Sequence, residues 1–418
     1  MKLLLSADLH LGRQSSRVGD RTSHTTIACW QRMVNLAIER GVNAVLLAGD
    51  VVEQRNKRFE SYGPLSAGIA KLAAAGITTV SVSGNHDFDV LPQLVDSIDQ
   101  DLFFLLGRNG NWETKVFTIG DERLQVDGWC FPDKRVPVNP VASYVAEDHE
   151  VDLHLAMVHG DLDATNSRYA PITTDSLSKI NVTGWLLGHI HKPELKNASQ
   201  PWILYPGSPQ AMDPGETEMH GVWLLDTDLG VEPRQIPLSS ICYSPVEINV
   251  TACDEDDAIS GFVEKKLKEH GLAFIENSSA ELGIVSLRPT IIGDCQQPLT
   301  VGRDLEYLDE YQIDVAGVSI EVDKVVVNIR QELSFEEFAG QKNGLAKAVQ
   351  LLQELETGEY STATTRLMEN FRARSVKLSN NYSSLIAVDD ELVSGQQLEQ
   401  LKRKLTNIIS TIREQSDV

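Results

Sequence analysis

Ile77-Thr78-Thr79-Val80-Ser81-Val82 runs through Ser83 into Gly84-Asn85-His86-Asp87. Alternating apolar and small polar residues predict a buried strand, and a glycine just beyond its end lets the chain turn sharply. The loop then projects an amide oxygen, an imidazole and a carboxylate together. Gly-Asn alone would satisfy a turn, so the added His-Asp pair asks for a chemical reason. Four other short stretches carry metal-type ligands after strand-like runs, all before residue 192.

Upstream, Lys2 to Ala7 reads as a strand delivering Asp8-Leu9-His10, with Gly12 following. Side chains of an extended chain alternate, so Asp-x-His sets a carboxylate and an imidazole on one side. Thr25 to Arg40 has helical spacing, with Ile27, Trp30, Val34, Ala37 and Ile38 on one face and Gly41 as the stop. Asn43 to Ala48 is an apolar strand ending in Gly49-Asp50, and a second helix spans about Ser61 to Ala75. A carboxylate at a strand's carboxyl end lies where open α/β sheets hold ligands, and its two oxygens suit it to bridge two cations. The strand-helix-strand rhythm predicts a mostly parallel sheet with crossover helices.

Downstream, Val116 to Ile119 and Arg123 to Val126 read as a hairpin around Gly120-Asp121. Asp152 to Val158 leads to His159-Gly160-Asp161, and Gly184 to Leu187 leads to Gly188-His189-Ile190-His191. His-x-His presents two rings on one face of an extended segment, suiting two adjacent metals. Strands at Trp202 to Tyr205 and Gly221 to Leu225, joined through Pro206-Gly207-Ser208-Pro209, complete the first domain. Assembled, the metal-ligand candidates are Asp8, His10, Asp50, Asn85, His159, His189 and His191, with His86 as a further imidazole. Oxygen and nitrogen donors without thiolate favour manganese, iron or zinc over magnesium or calcium. His24, His149, His220 and His270 stand in polar or helix-end contexts and are expected at the surface, and His154 in core or edge packing.

The whole chain has 418 residues, enough for two to three domains, with 42% hydrophobic and 23% charged residues as in soluble globular proteins. Its formal net charge of −23 repels a polyanion unless a cationic path or bound metal offsets it locally, so bulk charge does not argue for nucleic acid. Asp8 and His10 interrupt the apolar opening Met1 to Leu5 before a signal core or membrane span is complete, so a cytoplasmic location without membrane contact is expected. The five cysteines are scattered and form no Cys-x-x-Cys pair, which gives no sign of a disulfide framework or a zinc knuckle.

Beyond Ser244 the pattern becomes a small α+β unit. Pro245 to Val250, Gly283 to Leu287 and Val322 to Ile329 read as strands; Asp256 to His270, closed by Gly271, and Leu299 to Tyr311 read as helices. Ser334-Phe335-Glu336-Glu337 has the form of a capping box opening a helical tail. A basic segment holds Arg366, Arg372, Arg374 and Lys377 around Phe371; phosphate contact is one reading, and a solvated helix face is the commoner explanation. Leu398, Leu401, Leu405, Ile408 and Ile412 make a coiled-coil-like seam too short to stand alone, to be buried by this chain's own helices or by a partner.

Asp8-x-His10, Gly49-Asp50, Gly84-Asn85-His86-Asp87, His159-Gly160 and Gly188-His189-x-His191 occur in an order that resembles the calcineurin-like metallophosphoesterase superfamily. Within it, Ser6 to Gly12, Gly49 to Val52 and Tyr205 to Pro209 look like the SbcD branch of DNA-repair exonucleases, with its compact YhaO-like members. The resemblance implies an α/β sandwich of mixed sheets flanked by helices in residues 1–240, an α+β cap in 241–332 and a helical partner-binding region in 333–418. It implies two divalent metal ions, manganese foremost, one held by Asp8, His10, Asp50 and His191 and the other by Asp50, Asn85, His159 and His189. His86 would face the scissile phosphate, with Asp87 orienting it. Glu53 stands where the branch commonly has Asp or His and is an accessory candidate. The implied activity is metal-dependent DNA cleavage as the nuclease subunit of an SbcCD-like repair complex. Implied partners are DNA and an SbcC-type ATPase related to chromosome-maintenance proteins, and a homodimer is plausible. Two rivals remain: a nucleotide or small-molecule phosphodiesterase or phosphatase, which has no evident use for the C-terminal half, and an inactive ATPase-associated subunit, which has no use for a full ligand set.

Overall fold

A computed structural model describes the chain except for residues 17, 20, 54–58, 99, 148, 252, 254, 256–257, 279–280, 332–342, 380–394 and 417–418. The chain divides into two compact units. The first comprises Met1–Ser244, Gly271–Leu287 and Gln312–Asp323; the second comprises Pro245–His270, Arg288–Tyr311 and Lys324–Val418.

Two six-stranded mixed sheets build the first unit. In the first sheet Lys2–Ser6, Ala44–Ala48, Thr78–Val82 and Phe103–Leu105 run parallel. Gly221–Asp226 and Arg234–Pro237 extend it antiparallel beyond Lys2–Ser6. The crossovers are the helices Thr26–Arg40 and Phe59–Ala74. Thr25 caps the first helix by accepting from Ala28 N–H at 3.2 Å, and Gly41 ends it in the left-handed conformation. Its buried stripe is Cys29, Trp30, Met33, Val34 and Ala37, while Ile38, expected on that stripe, is exposed.

In the second sheet Glu122–Trp129, Leu153–His159, Gly184–Gly188 and Trp202–Tyr205 are parallel, with Trp112–Ile119 and Glu194–Asn197 antiparallel at the edges. The expected hairpin is there with longer arms. Ala44–Ala48 and Thr78–Val82 contact the Leu153–His159 strand of the facing sheet. One buried cluster draws on both sheets, taking Leu155, Met157, Leu186 and Leu204 from the second. The intervening Ala156, Val158, Trp185, Leu187, Ile203 and Tyr205 belong to another buried cluster. That split by alternate residues is what a two-residue side-chain period produces in a sheet buried on both faces.

Three expected elements differ from those observed. The helix ending at Gly271 instead runs over Ile259–Asn277, since glycine is permitted where the helix lies against Ile320: a Cβ at Gly271 would stand 2.7 Å from its methyl groups. The Val322 to Ile329 strand is two strands, Val318–Val322 and Val326–Gln331, paired to Ile284–Leu287 and Thr290–Cys295 respectively. Pro289 lies between those registers and has no N–H to continue the ladder. The Leu299 to Tyr311 helix is reduced to Pro298–Asp304 and a 3-10 turn at Glu306–Glu310.

In the second unit the helices Gly344–Thr357, Thr362–Ser379 and Gly395–Ser416 bury Val349, Leu352, Leu355, Met368, Leu401, Leu405 and Ile409 together. Leu398, Leu401 and Leu405 of the predicted seam therefore pack within the chain, but Ile408 and Ile412 are exposed and Ile409 takes the buried position. The Ser334 to Glu337 capping box and the Arg374 and Lys377 side chains lie outside the described residues.

A polar network is buried in the second sheet. Asp127 accepts from His154 Nε2–H at 2.6 Å, from the Tyr144 hydroxyl and from Gln125 Nε2–H at 3.2 Å. Burial pushes the Asp127 carboxyl up, but hydrogen bonds from His154, Tyr144 and Thr114 outweigh it and hold the group below its usual range. A depressed carboxylate contributes stability that is present above its unfolded pKa, about 3.9, and is lost as pH falls through the folded value. Asp127→Ala is expected to cost about 3 kcal/mol at pH 7 by leaving buried partners unpaired. In urea melts its deficit against the unsubstituted protein should narrow below pH 4 or so; a deficit constant with pH would refute the charge-based account.

Candidate metal centre

Every predicted ligand lies at or just beyond the carboxyl end of a strand in the first unit. Asp8 and His10 follow Lys2–Ser6, Asp50 follows Ala44–Ala48, Asn85 follows Thr78–Val82, His159 ends its strand, and His189 and His191 follow Gly184–Gly188. Asp8, His10, Asp50, Asn85 and His159 are buried. The structure brings the whole set together: nitrogen and oxygen atoms of Asp8, His10 and His191 lie within 4.8 Å of one another, as do those of Asp8, Asp50 and His159. Asn85 Oδ1 joins them, 3.1 Å from His159 Nε2 and 3.0 Å from His189 Nδ1.

The loops are shaped for convergence. Asp8, His10, Asp50 and His189 all have positive φ, at 51°, 44°, 49° and 101°. Such conformations cost about 1–3 kcal/mol each and persist where surrounding contacts impose them. Asp8 N–H donates to Gly49 carbonyl at 3.0 Å and His10 N–H to Asp50 carbonyl at 2.9 Å, tying the first two loops together. Gly84 matters through proximity: a Cβ there would stand 2.2 Å from Asp50 Oδ1 and 2.7 Å from His159 Cε1. His86 N–H then donates to Asp50 Oδ1 at 2.8 Å.

Each imidazole has its outer nitrogen beside an acceptor. His10 Nδ1 is 3.3 Å from a Glu53 oxygen, His159 Nδ1 3.0 Å from Ala48 carbonyl, His189 Nε2 3.2 Å from Asp161 and His191 Nδ1 2.7 Å from Glu216. Hydrogen on the outer nitrogen leaves a lone pair on the inner one. His10 Nε2 and His191 Nε2 then face each other across 3.1 Å, and His159 Nε2 and His189 Nδ1 both point at the Asn85 oxygen. Lone pairs aimed at one another repel unless a cation lies among them, so the residues fit divalent metal.

Electrostatics agree. Burial pushes the Asp50 carboxyl up, yet His159, His10 and His86 hold it well below its usual range. Burial likewise disfavours charge on His159, but Asp50 and then Asp8 carry it up to about 9. The His10 and His86 rings beside it hold the Glu53 carboxyl far below its usual value.

One contact differs from what the resemblance implies. Asp87 does not orient His86: its carboxylate accepts from Gly84 N–H and Val51 N–H at 2.7 Å each, and from Val52 N–H at 3.4 Å, so it clamps two loops. Burial, with the Asp50 charge nearby, pushes it up to about 7. The carboxylate against the His86 ring is Glu53, 3.3 Å from Nδ1. His220, expected at the surface, is buried, with Nδ1–H donating to Ser208 carbonyl at 2.8 Å. Sequence reading assigned no role to Asp161 or Glu216. Asp161 had a signal, two residues after His159, but nothing local marks Glu216.

A model of the calcineurin-like phosphoesterase superfamily domain matches residues 1–230. The uncharacterized metallophosphoesterase YhaO of Bacillus subtilis is 26% identical over 280 residues, which cover 64% of this chain and 68% of that protein. The DNA double-strand break repair protein Mre11 of Halobacterium salinarum is 23% identical over 280 residues, covering 65% of this chain and 68% of its own. A dimetal phosphatase from Danio rerio aligns over 54% of this chain and 91% of its own, at 14% identity and a TM-score of 0.35.

The Gly84 contact is testable without any assay of activity. Gly84→Ala should destabilise the protein by about 1–3 kcal/mol through overpacking against Asp50 and His159, read as a lowered thermal midpoint; an unchanged midpoint would show that the loop can yield.

Proposed function

Because the chain belongs to the calcineurin-like phosphoesterase superfamily, a family of metal-dependent hydrolases, we propose that its substrate is DNA and its reaction phosphodiester cleavage at a two-metal centre. The observation that carries the reading is the set of imidazoles whose outer nitrogens meet acceptors while their inner nitrogens converge with Asp8, Asp50 and Asn85. DNA as substrate is supported by likeness to relatives named for DNA double-strand break repair.

In this reading Asp8, His10, Asp50 and His191 hold one cation and Asp50, Asn85, His159 and His189 the other, manganese being suited to such donors. Bound divalent cations supply Lewis-acid charge at the phosphate and lower the pKa of the attacking water. Asp50, whose Oδ1 accepts from the His86 amide at 2.8 Å, would belong to both ligand sets. His86 itself is half-buried, with 40% of its side chain exposed, so a phosphate can reach it. Its hydrogen bond to Glu53 raises its pKa against the opposing effect of burial, and the Asp50 charge adds to the rise. With Nδ1–H directed at Glu53, a protonated His86 would offer Nε2–H to the leaving oxygen or to the charge developing on the phosphate. Glu53 thus acts as the orienting carboxylate, and Asp87 keeps the His86 loop against the Asp50 loop. In the second unit, exposed Ile408 and Ile412 lie one helical turn apart and form the proposed contact for an SbcC-type ATPase.

His86→Gln should retain bound manganese and lose turnover by about 10²–10⁴-fold, on end-labelled duplex and on bis-p-nitrophenyl phosphate alike; full activity with normal metal content would sink the role. Asp50→Asn should lose metal as well as activity, read by elemental analysis. Replacing Ile408 and Ile412 with Glu should weaken co-precipitation of a candidate ATPase and spare hydrolysis of the small diester, whereas undiminished association would reject the contact.

A further inference from the structure

The stretch from Tyr205 to Glu216 holds none of the proposed ligands, yet it meets His191 at several points. Gly207 has a φ of +73°, and a Cβ there would stand 2.4 Å from the His191 carbonyl oxygen and 2.7 Å from Pro193 N. The following amide, Ser208 N–H, donates to that same carbonyl at 3.0 Å. Main chain is therefore fastened to main chain directly behind the imidazole. Farther on, Glu216 comes back to the ring itself and accepts from His191 Nδ1–H at 2.7 Å.

Both oxygens of Glu216 are engaged. While Oε1 meets His191, Oε2 accepts from Met212 N–H at 2.8 Å and from the Ser208 hydroxyl at 3.4 Å. That hydroxyl in turn accepts from His220 Nδ1–H at 3.0 Å, and the same N–H reaches the Ser208 carbonyl at 2.8 Å. A carbonyl only accepts, so His220 must be the donor and Ser208 is left to donate to Glu216. Ser208 and His220 are fully buried, and the Glu216 side chain is only 12% exposed. A free surface carboxylate would sample many rotamers; this one is held at one end by a turn and at the other by the ring.

We propose that Glu216 is a positioning residue that holds His191 as its Nδ1–H tautomer, and that the Gly207-Ser208 turn serves to deliver it. The proposal rests on the reading of His191 as a metal ligand. With Nδ1–H donated to Glu216, the lone pair is confined to Nε2, the nitrogen that faces His10 Nε2 at 3.1 Å. Without Glu216 the ring is free to turn or to change tautomer, and one cation position loses a preorganised donor. Gln is a partial substitute: its oxygen accepts from Nδ1–H, but its NH₂ then confronts the Met212 N–H.

The test titrates manganese calorimetrically into metal-stripped, full-length protein and its variants, with thermal midpoints recorded beside. Glu216→Ala should weaken one of two manganese equivalents by about 10–100-fold, with Glu216→Gln between it and the unsubstituted protein. A long-range ¹H–¹⁵N spectrum of the unsubstituted protein loaded with zinc should show His191 protonated on Nδ1. That spectrum decides the matter even if Glu216→Ala does not fold, and protonation on Nε2 overturns the proposal. Unchanged binding of both equivalents by folded Glu216→Ala also overturns it, provided His191→Ala loses one. If His191→Ala keeps both equivalents, the metal-ligand reading falls and takes this inference with it.

Discussion

Asp50 is a buried carboxylate with no room around it, and the catalytic unit is arranged so that it can exist there. Its oxygens lie 2.8 Å from the His86 amide, 3.3 Å from His159 Nε2 and 3.8 Å from His10 Nε2. A lone carboxylate so placed would take up a proton, because burial disfavours its charge. Imidazoles from three different loops keep it ionised instead. Asp87 shows the opposite outcome a short distance away: burial and the Asp50 charge push it up to about 7, against the hydrogen bonds it accepts from backbone amides. Two neighbouring carboxyls in one buried site thus have different tasks, one carrying charge and the other tying loops together.

The sheets make this congregation possible. Parallel neighbours bring the carboxyl ends of Lys2–Ser6, Ala44–Ala48 and Thr78–Val82 to one edge, and the facing sheet adds those of Leu153–His159 and Gly184–Gly188. Donors far apart in sequence therefore arrive within hydrogen-bonding distance, on loops rooted in fully buried strands. Positive φ at Asp8, His10, Asp50 and His189 is a cost that this rooting sustains. Aromatic rings support the outer side: Phe131 packs edge-on to His159 and Tyr169 lies against His189, at centroid distances of 5.6 and 5.0 Å.

Much of the site was legible because its signals are local. Asp-x-His, Gly-Asp, Gly-Asn-His-Asp and His-x-His each sit after a strand-like run, and those strands are observed with ends shifted by a residue or so. Less legible were contacts made by a residue's other side. Asp87 lies next to His86 in sequence, which suggests that it touches that ring, yet its oxygens turn toward Val51 and Gly84 amides. Glu216 is 25 residues from His191 and follows no periodic pattern, so only the folded turn discloses it. His220 looked like a surface residue because its sequence neighbours are polar, but it is buried beneath Ser208. Ile408 and Ile409 illustrate the same limit in the second unit: heptad spacing selects the former, and contact with the Gly344–Thr357 and Thr362–Ser379 helices selects the latter.

By itself the sequence determined which residue types leave which strands, because side-chain alternation, helix period and turn chemistry act over a few residues. That was enough to read strands alternating with crossover helices in a mostly parallel sheet, and to nominate Asp8, His10, Asp50, Asn85, His159, His189 and His191 as a group; the pairing of two mixed sheets came from the family resemblance. Tertiary structure alone decided how those residues are held: which nitrogen of each imidazole turns inward, which carboxylate stays charged, and which glycine is needed for approach rather than for its φ. These depend on the distance between segments far apart in the chain, and only the stacking and register of the two sheets set that distance.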